Sequence, residues 1–96
     1  MDKLDYLLIK VAEESSEVGQ AVSKCLRFGL SEVEPGKDGT DNLERLRLEI
    51  TDLIAAWEDM CDEAEVDNSI HITDIYAAKT KSKRWLEFTE ELGRLS

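Results

Sequence analysis

Apolar residues recur at three- and four-residue steps along most of the chain, the period of an amphipathic helix. In residues 4–28 they are Leu4, Leu7, Leu8, Val11, Val18, Val22, Cys25 and Leu26. This predicts a first helix that stops near Gly29 in a left-handed cap. Residues 30–40 hold the only proline and two of the five glycines, and predict a loop that is long for a helix–helix connection. Asp41-Asn42-Leu43-Glu44 has the form of a capping box. It opens a second helix striped by Leu43, Leu46, Ile50, Leu53, Ile54, Trp57, Met60 and Cys61, ending within residues 64–67. A third helix starts near Thr73 or Asp74 and ends before Gly93, with Ile75, Ala78, Trp85, Phe88 or Leu86, and Leu92 as its apolar series. The expected fold is all-α, one domain over residues 1–96. Three helices make half of a good bundle, so the bundle is expected to be completed by oligomerisation.

Polar residues break the first two stripes at matching places. Glu14 stands between Val11 and Val18, and Glu17 follows three residues later. At roughly 100° per residue, Glu14 falls on the flank of the stripe and Glu17 one step further round. Glu13 points nearly opposite the stripe centre. In the second helix Glu49 again flanks the stripe and Asp52 lies one step beyond it. Packed side by side, the two helices would gather four carboxylates into one volume. Like charges that close repel strongly unless a cation lies between them.

An all-oxygen set of ligands suits Mg²⁺ or Mn²⁺. A di-iron bundle would use Glu-x-x-His on two helices. The only histidine, His71, sits at that offset from neither pair. Cys25 and Cys61 fall at apolar helical positions without metal-type spacing and read as reduced core residues. Mg²⁺ held by carboxylates keeps positions open for substrate phosphates. Lys24, Arg27 and the basic run Lys79, Lys81, Lys83 and Arg84 could meet such phosphates, and Phe28, Trp57 or Trp85 could stack on a base. The bland alternatives are solvated acidic faces, core aromatics and a basic surface on the third helix.

Charge and hydropathy narrow the classes. A net charge of −10 argues against a coat for nucleic acid polymers, but not against a nucleotide bound through a metal. No apolar run reaches membrane-spanning length, and Met1-Asp2-Lys3-Leu4 leads into the first helix without a signal-peptide pattern. No membrane partner and a cytoplasmic location are the default expectations.

Glu13-Glu14-x-x-Glu17 followed by Glu49-x-x-Asp52 resembles the signature of the MazG-like, all-α nucleoside triphosphate pyrophosphatases. The likeness continues through Lys24-Cys25-Leu26-Arg27-Phe28-Gly29, Asn42-Leu43-Glu44-Arg45-Leu46 and the late Lys-rich helix, and so covers most of the chain. The loop 30–40 makes the spacer between Glu17 and Glu49 longer than in compact members. The resemblance implies a homodimer or homotetramer with Mg²⁺-dependent hydrolysis of a (d)NTP to (d)NMP and pyrophosphate, water attacking the α-phosphorus. Carried over by position, it makes Glu14, Glu17, Glu49 and Asp52 metal ligands. Glu13 becomes a candidate for water activation or support of a ligand, and Lys81 a phosphate contact. Lys24, Arg27 and Phe28 stand as substrate-binding candidates. Two alternatives remain at this stage: a non-enzymatic acidic helical dimer or adaptor, and the same fold acting on another nucleotide such as phosphoribosyl-ATP.

Overall fold

In the computed structural model, which describes residues 1–96, three helices follow one another without a strand: α1 Lys3–Phe28, α2 Asn42–Ala64 and α3 Ile72–Glu91. None is long and apolar enough to cross a membrane.

The helix ends have local causes. Asp2 caps α1 by accepting from the Asp5 N–H at 2.8 Å, and the Asp5 carboxylate accepts from the Asp2 N–H at 3.2 Å, a complete capping box. At α2 only half of the expected box forms. Asp41 accepts from the Glu44 N–H at 2.8 Å, but the Glu44 carboxylate turns outward to the Arg47 guanidinium. A charged two-donor fork is a better partner for a carboxylate than one backbone N–H. Gly29 leaves α1 at φ 99°, ψ 157°. The positive φ calls for glycine, but the backbone is extended and not the left-handed helical cap expected from sequence.

The connection then folds back onto the start of α2. The first N–H groups of a helix have no partner within it. Here the Asn42 and Leu43 N–H groups donate to the carbonyls of Glu32 and Leu30, both at 2.9 Å. The buried Asn42 side chain donates from Nδ2 to the Gly29 carbonyl at 2.9 Å. An isolated antiparallel bridge joins Val33 to Asp41. Residues 29–41 are therefore tied to the junction between the helices by backbone and side chain together.

α1 and α2 run antiparallel. Lys3 Nζ meets Glu63 Oε2 at 3.3 Å at one end, and Cys25 Sγ meets the Asn42 carbonyl at 3.6 Å at the other. The seam takes Leu4, Leu7, Val11, Glu14, Val18, Ala21 and Cys25 from α1, in alternating steps of three and four. From α2 it takes Asn42, Leu46, Glu49, Leu53, Ala56 and Met60. Glu14 and Glu49 thus occupy the seam itself, where sequence reasoning put them on its flank. Leu8, Val22 and Leu26 on α1 and Leu43, Ile50 and Ile54 on α2, expected in the stripes, are exposed instead.

One chain encloses little. Five of 96 residues are buried, and the radius of gyration is 16.9 Å. A compact domain of this length would have a radius of roughly 12–13 Å. The difference lies in α3, which packs on neither other helix and has no buried residue. Trp57 holds only the connector before α3, donating its indole N–H to the Asn68 carbonyl at 2.9 Å.

Candidate metal centre

A carboxylate at a seam position must find a partner or lose its charge, because burial removes the water that stabilises it. Glu14 is 7% exposed. Its Oε1 meets Lys10 Nζ at 3.1 Å, one helical turn earlier, while its Oε2 is buried with no hydrogen-bond partner. Glu49 is half-buried, and its Oε2 is likewise enclosed and unpartnered. Glu17 is exposed, one turn after Glu14, on the side turned toward Glu49. One carboxylate oxygen from each of Glu14, Glu17 and Glu49 lies within 4.8 Å of the other two.

The electrostatics record the crowding. The Glu49 carboxyl is held above its ordinary value of 4.5, chiefly by burial, then by the Glu17 carboxyl beside it and the charges of Asp52 and Glu14. Lys10 is held above its ordinary value by its hydrogen bond to Glu14 and the charge of that carboxylate. A divalent cation fits this group. The donors are all carboxylate oxygens, their mutual distances suit a shared ion, and two of the three carboxylates keep an enclosed, unpartnered oxygen.

The remaining sequence candidates are distributed unevenly. Asp52 is exposed and stands outside the group of three, close enough for its charge to act on Glu49. Glu13 is also outside it. Its carboxylate lies 3.9 Å from Lys10 Nζ and borders an open depression shared with Glu17 and Gln20. Lys24 lines the small pocket next to the carboxylates and pairs with Glu34 of the connection at 3.5 Å. Phe28 is exposed, with the Arg27 guanidinium 5.0 Å over its ring. With Lys24, Val33 and Pro35 it borders a depression of about 380 Å³. Trp57 is committed to the connector, as described above. Lys81 is not brought to the carboxylates within one chain. It lies on the unpacked α3, beside Arg84, Trp85 and Phe88, where Trp85 and Phe88 meet edge to face at 6.0 Å.

Four lining residues of the pocket, Gln20, Ala21, Asn42 and Arg45, are not among the site residues expected from sequence, and two of them are polar residues of α2. Asn42 and Arg45 line it together with Glu17, Lys24 and Glu49. Arg45 Nη2 meets Asp38 Oδ1 of the connection at 3.1 Å, while its Nε is buried and donates to nothing. The available signal was helical spacing, since Arg45 precedes Glu49 by four residues and so shares its face. No protein-family model, curated protein or solved structure matches the chain.

Proposed function

We propose that the chain is a Mg²⁺-dependent nucleoside triphosphate pyrophosphohydrolase, converting a (d)NTP and water to a (d)NMP and pyrophosphate. Two observations carry this reading together: one carboxylate oxygen from each of Glu14, Glu17 and Glu49 lies within 4.8 Å of the other two, and the Glu14 and Glu49 carboxylates each keep an enclosed oxygen without a hydrogen-bond partner. Such an arrangement is costly without a cation. The reaction assigned to it rests on the resemblance of Glu13-Glu14-x-x-Glu17 and Glu49-x-x-Asp52 to the MazG-like signature.

In this reading Glu14, Glu17 and Glu49 hold Mg²⁺, or Mn²⁺ in its place, and Asp52 joins them from the exposed rim. When bound, the ion neutralises triphosphate charge and makes water a better nucleophile at neutral pH. The chain's own residues do the rest. Glu13, at the open edge beside Glu17, accepts the proton of the water that attacks the α-phosphorus. The bond from that phosphorus to the bridging oxygen breaks, and pyrophosphate leaves. Lys24 faces phosphate. Phe28, backed by Arg27, offers an aromatic face to the base at the mouth of the adjoining depression.

The working unit is a homodimer or homotetramer in the cytoplasm. Support for assembly comes from the apolar residues left exposed on α1 and α2 and from an α3 with no partner inside its own chain. Lys81 then reaches the carboxylates from a second copy, as the phosphate contact the resemblance implies.

The test is a panel of dNTPs with MgCl₂, read for pyrophosphate against orthophosphate. Pyrophosphate release that needs Mg²⁺ and is lost in Glu17→Gln is expected. No turnover of any nucleotide, with Glu17→Gln binding metal like the wild type, would end the proposal. A non-enzymatic acidic dimer predicts a different outcome: no rise in melting temperature with Mg²⁺, and no effect of Asp52→Asn on that response.

A further inference from the structure

The pocket beside the carboxylates contains two cationic side chains, Lys24 and Arg45. Each is met by a carboxylate from the same connection between α1 and α2. Lys24 Nζ lies 3.5 Å from Glu34 Oε2, and Arg45 Nη2 lies 3.1 Å from Asp38 Oδ1. The two pairs differ in what they leave over. Only Arg45 keeps a buried donor, its Nε–H, with no acceptor. A guanidinium presents Nε and Nη as a fork that matches two oxygens of one phosphate. Asp38 engages only one side of that fork.

Asp38 is poorly placed to be a permanent partner. Its side chain is 71% exposed, against 29% for Arg45. The same Oδ1 also accepts from the Thr40 N–H at 3.1 Å, so its position is set by the turn of the connection. Ion pairs this exposed are weak, and a phosphate with more charge and more acceptor oxygens competes well against them. The enclosed polar atoms at and beside the pocket include both signs: the Oε2 atoms of Glu14 and Glu49, which accept from no donor, and the Arg45 Nε–H, which has no acceptor. A metal–phosphate unit supplies both.

We propose that Arg45 is the principal polyphosphate-binding residue of the site, and that Asp38 is an internal anion that occupies its guanidinium until phosphate displaces it. This deepens the pyrophosphohydrolase reading and takes its substrate class from it. The connection 29–41 then acts as a latch. Its anchors to Gly29 and the start of α2 stay in place, while the Asp38 carboxylate yields to the ligand.

Calorimetric titration with inorganic tripolyphosphate in MgCl₂ tests the assignment, since it needs no turnover. Asp38→Asn should tighten binding by about two- to fivefold, the equivalent of one exposed ion pair. Arg45→Gln should weaken it by about tenfold or more, as expected for lost charge-assisted hydrogen bonds. In the Arg45→Gln background, Asp38→Asn should add nothing. Glu32→Gln removes a charge from the same connection that forms no ion pair with Arg45, and should leave the affinity for tripolyphosphate near wild type. With a dNTP that turns over, Asp38→Asn should lower KM more than it changes kcat. An equal gain from Glu32→Gln, or a gain from Asp38→Asn that persists without Arg45, would reduce the effect to a general field and overturn the proposal. Unchanged affinity in Asp38→Asn overturns it as well, and this arm holds even if Arg45→Gln fails to fold. The two readings fail separately. Tripolyphosphate binding with this pattern but no nucleotide cleavage removes the enzyme and leaves the Arg45 assignment. Cleavage with an Asp38→Asn variant indistinguishable from wild type does the reverse.

Discussion

Replacing Glu49 with glutamine should stabilise the metal-free protein and reduce its response to Mg²⁺. Oxygens of Glu14, Glu17 and Glu49 lie within 4.8 Å of one another. Two unit charges at that separation repel by roughly 3.5 kcal/mol at an effective dielectric of about 20, and by roughly 1 kcal/mol in bulk water. Glu17 is exposed and Glu14 is already paired with Lys10, which favours the lower figure. Relief of both repulsions then amounts to about 1–2 kcal/mol, or about 5–10 °C in melting temperature for a domain of this size. The wild type should regain much of this with metal, since a ligand at ten times its Kd adds about 1.4 kcal/mol. The assay is thermal unfolding followed by circular dichroism, in EDTA and in MgCl₂, with NaCl matching the ionic strength. The pH dependence gives a second handle. Glu49 titrates above its ordinary 4.5, so the folded state holds its proton more tightly than the unfolded state does. The stabilisation from that proton is complete below the ordinary value and lost as pH rises through the raised one. In EDTA, the advantage of Glu49→Gln over wild type should therefore grow upward across that window. A variant no more stable than wild type in EDTA at neutral pH, or one that keeps the full Mg²⁺ response, would refute the reasoning.

Three other outcomes follow from the packing. Asn42→Ala removes the donor to the Gly29 carbonyl at a buried position, and should cost about 1–3 kcal/mol; limited proteolysis should then cut faster within residues 30–40. Ala56→Leu forces a large side chain into the narrow α1–α2 seam and should cost about 1–3 kcal/mol in denaturant unfolding. Sedimentation at micromolar concentration should show a dimer or tetramer, and a monomer alone would contradict the assembly inferred from the uncovered apolar residues.

The sequence carried the helices and their order because the apolar period spans whole elements. It misplaced the seam because apolar character alone defined the stripes. The three-four alternation through positions 4, 7, 11, 14, 18, 21 and 25 emerges only when Glu14 and Ala21 are counted as inward residues. Helical phase counted from apolar residues alone puts Glu14 on the flank of the stripe, whereas the seam includes it, and the expense of burying a carboxylate is what marks it. The same count puts the Leu8, Val22 and Ile54 side chains inward, although they lie to one side of the seam. The half-formed capping box at α2 turned on Arg47, whose claim on Glu44 is visible only in the side-chain geometry. Arg45 shares the face of Glu49 by spacing, but its contact with Asp38 is hidden because the long connection separates Asp38 from the helix it folds back upon. No local pattern announces that contact.

The central claim is that water attacks the α-phosphorus of a nucleoside triphosphate at the Glu14–Glu17–Glu49 group. Hydrolysis in ¹⁸O-labelled water with MgCl₂, followed by mass spectrometry of both products, tests it most directly. Label is expected in the nucleoside monophosphate and none in the pyrophosphate, with both products lost in Glu17→Gln. Label in pyrophosphate, release of orthophosphate with a diphosphate product, or turnover that survives Glu17→Gln would contradict it.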